Sequence, residues 1–188
     1  MSEIERLASL IRQRNAVDNQ ISAVIGRPVH AGHLAEAITA KIFNIDLHES
    51  AAHKGNDGIF TGGSYVGKTV DIKGYSSKDT LGMPDEGKTG FDESLPDFYL
   101  VLAGPRKSAI SSRGATAPWT IHSVHLFDAR ALVEKLRKRR PPPKINEATS
   151  IALEYWDAAE IYPRNNPVFP LTESQREMLA LFSEASVG

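Results

Sequence analysis

Asp57, in the turn Gly55-Asn56-Asp57-Gly58, and the pair Asp71 and Lys73, in Val70-Asp71-Ile72-Lys73-Gly74, are the residues of this chain best suited to chemistry. Residues two apart on a β-strand share a face, so Asp71 and Lys73 point together while Val70 and Ile72 turn into a core. A carboxylate beside an ammonium can hold a hard cation next to a group that orients water. Asp57 lies fourteen positions before Asp71. Returned to it by a hairpin, it would add a second carboxylate of the kind Mg²⁺ takes, with water and a substrate phosphate completing an octahedral shell. The pattern predicts metal-dependent cleavage of a phosphodiester. The same residues also have a plainer use. Asn-Asp-Gly is a favoured tight turn whose Asp satisfies local backbone donors, and an Asp-x-Lys pair can be a structural ion pair on a strand.

The elements that must position these residues follow from periodicity. Ser2-x-x-Glu5 has the form of a capping box, and Ile4, Leu7, Leu10, Ile11, Ile21, Val24 and Ile25 continue a helical apolar stripe, which predicts a long first helix. Gly26-Arg27-Pro28 interrupts it. Leu34, Ile38 and Ile42 then define a second helix from about residue 30 to 43, with Glu36 off that stripe. Short strands are expected at Leu47 to Glu49, Gly58 to Phe60 and Gly67 to Tyr75, forming an antiparallel meander with a turn at Thr61-Gly62-Gly63-Ser64. Residues 76 to 96 read as an irregular polar loop, either mobile or functional. Phe98 to Ala103 and Trp119 to Phe127 read as buried strands, and Asp128 as the N-cap of a helix through Arg140, ended by Pro141, Pro142 and Pro143. A further helix is expected over Ala148 to Ala159. A last one opens with the capping box Thr172-x-x-Gln175.

With 188 residues and 41% hydrophobic content the chain can bury a core, and we expect one domain, with its centre at about residues 30–140 and helical extensions at 1–26 and 145–188. There is no cysteine, which excludes a disulfide framework, a zinc ribbon and thiol catalysis and suits a reducing, cytoplasmic setting. Glu3, Glu5 and Arg6 break up the first ten positions, so no secretory or membrane segment is expected to start there. A net charge of -1 argues against indiscriminate coating of nucleic acid and directs attention to local patches.

The order of a Glu on a helix, an Asp in a Gly-Asn-Asp-Gly turn and an Asp-x-Lys on a strand resembles the PD-(D/E)XK nuclease superfamily, the restriction endonuclease-like fold. The run from "GRPVHAGHLAEAITAKIF" through "GNDGIF" and "VDIKGYS" to "PDFYLVLAGP" looks like an uncharacterised bacterial branch of it. The resemblance implies an α/β fold, a mixed central sheet flanked by helices with extra helices at both ends. It implies a metal-dependent nuclease, acting on DNA, with Mg²⁺ or Mn²⁺ held by Asp57, Asp71 and the Ile72 carbonyl, and with Glu36 binding a second metal or its water. Lys73 would orient or help deprotonate the attacking water, and orienting fits an ammonium beside two carboxylates better. Double-strand cleavage would need two sites, so a homodimer is expected, formed through the first helix or through the final one with Leu179, Leu181 and Phe182. The alternative is a catalytically silent member of the same fold that binds nucleic acid or protein, with Asp57, Asp71 and Lys73 as a structural ion cluster.

Two features depart from the superfamily pattern. Residues 76 to 96 show no helical period where a crossover helix is usual, and they carry Asp79, Asp85, Glu86, Asp92 and Glu93 against Lys78 and Lys88. Basic candidates for gripping a phosphate backbone lie elsewhere. Arg106, Lys107 and Arg113 sit in a loop after a strand, and Lys135, Arg137, Lys138, Arg139, Arg140 and Lys144 form a dense run that also suits a helix C-terminus. His30-x-x-His33 with His48 and His53 suggests a rival metal site, but without cysteines or a His-Glu-x-x-His pattern capping and surface roles fit better.

Overall fold

Gly26 separates the first two helices. In a computed structural model that describes residues 2–49, 55–75, 79–104 and 120–183, α1 (Glu3–Ile25) begins at the expected capping box. Ser2 Oγ accepts the Glu5 amide, and the Glu5 carboxylate accepts the Ser2 amide at 2.7 Å. α1 ends where Gly26 takes the left-handed conformation at φ 71°. α2 (Ala31–Phe43) follows, and buries Ala35, Thr39, Ile42 and Phe43.

A six-stranded sheet runs in the order β1-β2-β3-β5-β6-β8. Its strands are β1 (Ile45–Leu47), β2 (Gly58–Phe60), β3 (Thr69–Tyr75), β5 (Phe98–Ala103), β6 (Ser123–Asp128) and β8 (Glu160–Tyr162). β3 and β5 are parallel and the other neighbours antiparallel, so the sheet is mixed and β1-β2-β3 is the expected meander. The first strand begins two residues earlier than its pattern suggested, directly after α2. At the start of the parallel pair, Asp97 Oδ2 accepts from the Thr69 amide and hydroxyl at 2.9 and 3.0 Å, and Thr69 Oγ accepts the Asp97 amide at 2.8 Å. This reciprocal lock sets the register that puts Asp71 beside Tyr99.

Two cores lie on opposite faces of the sheet, as strand alternation requires. One gathers Ile42 and Phe43 of α2, Val70 and Ile72 of β3, Leu100 and Leu102 of β5, and Leu179 of α6 (Glu173–Ala180). The other packs Tyr99 and Val101 beneath Leu132 and Leu136 of α4 (Ala129–Lys138) and Trp156 of α5 (Leu153–Ala159). Asp128 caps α4 as expected, its Oδ1 accepting the Ala131 amide at 2.8 Å.

Three expectations are corrected. Residues 79–96 are anchored, because β4 (Thr80–Leu81) pairs with β7 (Thr149–Ser150), the single turn α3 (Phe91–Ser94) follows, and Leu81, Met83, Phe91 and Leu95 are buried. The helix expected from Ala148 starts only at Leu153, since residues 149–150 are taken by the β4 pairing. The segment read as a terminal extension contributes the edge strand β8 and the buried Ile145, Ile151, Trp156, Ile161 and Leu179. Among the described residues no helix is long and apolar enough to cross a membrane.

Candidate functional site

The site lies where β2 stops and β3 continues. β2 pairs with β3 only at Thr69 and Val70, whereas β5 follows β3 as far as Tyr75. Asp57 fills the first gap beyond β2. Its amide donates to the Val70 carbonyl at 2.8 Å, its carbonyl accepts the His48 amide at 2.9 Å, and its Oδ2 accepts the Ile72 amide at 2.6 Å. Asp57 therefore does not satisfy its own turn, as the plainer reading had it. Its carboxylate extends the ladder across to β3. The amide and carbonyl of one strand residue point to the same side, so the Ile72 carbonyl is directed to this edge as well.

The glycines flanking Asn56 and Asp57 are required by this placement. A Cβ on Gly58 would lie 2.4 Å from the Asp46 carbonyl oxygen, and Gly55 has φ +96° with a Cβ position 3.1 Å from the Ser94 carbonyl oxygen. Asn56 Oδ1 accepts from His48 Nε2 at 2.6 Å, which ties the turn to the end of β1.

Asp71 and Lys73 share one face of β3, as their spacing predicts, with Lys73 Nζ 2.7 Å from Asp71 Oδ1. The Asp71 side chain keeps only 16% of its exposure. Burial, together with the nearby Asp57 carboxylate and against the pull of Lys73, pushes the Asp71 carboxyl up to about 7. For Lys73, burial opposes the ammonium, but Asp71 and Asp57 outweigh it and hold its pKa above the ordinary lysine value. Lys73 is thus a persistent cation.

Glu36 approaches from α2, on the other face of the sheet. Burial and then Asp57 raise its pKa, while Arg27, His33 and Lys73 act against the rise. Asp57, at the sheet edge, is felt by both Glu36 and Asp71. Glu36 forms a close ion pair with Arg27, whose other nitrogen donates to the His48 carbonyl at 2.8 Å. Glu36 is therefore no freely solvated helix residue. Sequence reasoning gave Arg27 no role, because its partner lies nine residues on, across the Gly26-Arg27-Pro28 interruption.

Tyr75 and Tyr99 complete the wall. Tyr75 Oη accepts the Gly82 amide at 2.9 Å, and the buried Tyr99 hydroxyl has no hydrogen-bond partner among the described residues. Burial, then the adjacent Asp71, raises the Tyr99 pKa.

Arg106, Lys107 and Arg113, like Trp119 and His53, lie outside the described residues. In the second basic run Arg137 is occupied, with Nε 2.6 Å from Glu86 Oε1 and its guanidinium 5.6 Å from the centre of the Phe91 ring. His33 Nδ1 lies 2.8 Å from the Pro28 carbonyl oxygen, a local contact. Among the described residues no three His, Cys, Asp or Glu side chains are gathered closely enough to hold a metal by themselves. The donor set near β3 is two carboxylates and an edge carbonyl. That set suits a cation that takes one or two carboxylates and keeps several waters, as Mg²⁺ does. No family model matches the chain, and no curated protein matches it.

Proposed function

We propose that the chain is a metal-dependent nuclease of the PD-(D/E)XK type, hydrolysing phosphodiester bonds in DNA. The supporting observation is the meeting of Asp57, Asp71 and Lys73 at the stretch of β3 that β2 does not pair, with a carboxyl at Asp71 pushed up to about 7. Crowded, desolvated carboxylates repel one another, and a divalent cation relieves that repulsion. Asp57 and Asp71 would hold Mg²⁺ or Mn²⁺, with the Ile72 carbonyl as a further donor and Glu36 on the outer side. The cation supplies charge that polarises a phosphoryl oxygen and acidifies water. Asp57 is held in place by the Ile72 amide. Lys73, protonated throughout the neutral range, orients water and offers donors to phosphate oxygens. Arg27 limits the swing of Glu36.

A second reading rests on the ion pairs themselves. Lys73 on Asp71 and Arg27 on Glu36 balance the cluster without a metal, as in a catalytically silent binding protein of the same architecture. Incubating the protein with plasmid, single-stranded DNA and RNA in Mg²⁺ or Mn²⁺ separates the two. The nuclease reading expects cleavage that EDTA abolishes and that Asp71→Ala and Lys73→Ala each reduce at least about a hundredfold. Absence of cleavage, together with no metal-dependent rise in Tm, would establish the silent reading.

A further inference from the structure

None of the residues of α1 is buried, yet Ile4, Leu7, Leu10, Ile11, Val17 and Val24 are exposed along it. Of its large apolar residues only Ile21 and Ile25, in the last turns, are half-buried. The helix is 23 residues long, about 34 Å at 1.5 Å per residue. Ile4, Leu7, Ile11, Arg14, Asp18, Ile21 and Ile25 recur at alternating intervals of three and four, the seam of a heptad pattern. Leu10, Val17 and Val24 each precede a seam position and widen the stripe on one side. The opposite face carries Glu5, Arg6, Arg12, Gln13, Asn19 and Gln20.

We propose that α1 is the interface of a homodimer, pairing antiparallel with the α1 of a second copy of this chain. The two charged seam residues select both the partner and the direction. Arg14 and Asp18 are neighbours in the seam and form an exposed pair at 3.5 Å within the chain. In a parallel pair each seam position faces itself, which sets Arg14 against the partner's Arg14 and Asp18 against the partner's Asp18. In an antiparallel pair with its two-fold axis beside Ala16, Arg14 faces the partner's Asp18. The same register sets Ile11 against the partner's Ile21 and Leu7 against the partner's Ile25. It also brings Val17 against the partner's Val17 across the axis. Every exposed large apolar residue of the helix from Leu7 to Val24 then lies in or beside the seam. A wholly apolar occupant would desolvate the Arg14–Asp18 pair and offer it no partner across the interface, whereas a second copy supplies an opposite charge to each, so a second copy fits better than a lipid surface or plain apolar helix.

Light scattering of the full chain tests this directly, with an expected mass twice the 20.6 kDa of the monomer. Leu7→Glu combined with Ile11→Glu is expected to give monomer with unchanged circular dichroism, since both side chains are exposed in the folded chain. Arg14→Asp is expected to weaken association at least about tenfold through like-charge contact, and Arg14→Asp with Asp18→Arg to restore it. The chain has no cysteine. Under oxidation Val17→Cys is expected to form an inter-subunit disulfide, and Leu10→Cys, which faces the partner's Val24, is not. A monomeric wild type, a dimer indifferent to the Leu7/Ile11 change, or cross-linking through Leu10→Cys but not Val17→Cys would each overturn the proposal.

Discussion

Three carboxylates of this chain, Glu36, Asp57 and Asp71, are arranged around one strand edge, and the fold disfavours the ionisation of Glu36 and Asp71. Burial raises both Glu36 and Asp71, and Asp57 adds to the effect at each. A raised carboxyl means that folding favours the protonated acid. The contribution of Asp71 to stability is therefore full below its ordinary value of 3.8 and is lost as the pH rises through about 7. Between those values one such group can impose a slope of at most about 1.4 kcal/mol per pH unit. In metal-free buffer, stability measured by urea unfolding is expected to fall with pH across this window. Asp71→Asn is expected to flatten the fall; an unchanged slope in the variant would place the titration elsewhere. Asp57, Asp71 and Lys73 were legible in the sequence because strand period and a glycine-bracketed turn are local signals. Arg27 was not, since nothing in its neighbours indicates that its guanidinium turns back to α2. Tyr99 reads simply as a core aromatic until the strand register places it beside Asp71.

At the scale of elements, the strongest local signals survived and the weakest did not. Both capping boxes, the Asp128 cap and the buried run of β5 are set by contacts within a few residues and emerge as expected. β4, β7 and β8 are two or three residues long, too short to show a period, and β4 and β7 exist through pairing partners some seventy positions apart. The anchoring of residues 79–96 was hidden by its charges, which conceal the widely spaced Leu81, Met83, Phe91 and Leu95. The turn that carries Asp57 gives a sharp element-level test. Gly58→Ala would force a methyl to 2.4 Å from the Asp46 carbonyl oxygen and push β1 from β2. A loss of about 2–3 kcal/mol of stability is expected, measured by chemical denaturation, together with weaker metal-dependent stabilisation because Asp57 shifts with its strand.

The described residues form a sheet between two cores, and the C-terminal segment is needed to close both. A chain stopped at Lys144 would lose β7, α5, β8 and α6, and with them Trp156, Ile161 and Leu179. Such a truncation is expected to lack a cooperative thermal transition, which calorimetry would show; a sharp transition near that of the full chain would mean that residues 30–140 form an independent core after all. The same dependence orders events during synthesis. Glu36, Asp57, Asp71 and Lys73 all leave the ribosome before β5 and before the helices that cover its far face. A nascent chain that has extruded Lys73 carries ordinary hydrated charges. The elevated proton affinity of Asp71 comes into being only when Tyr99 and the layer above it are in place. The electrostatic character of the site is thus assembled after the residues that form it, once the segments that bury Asp71 have followed them in the chain.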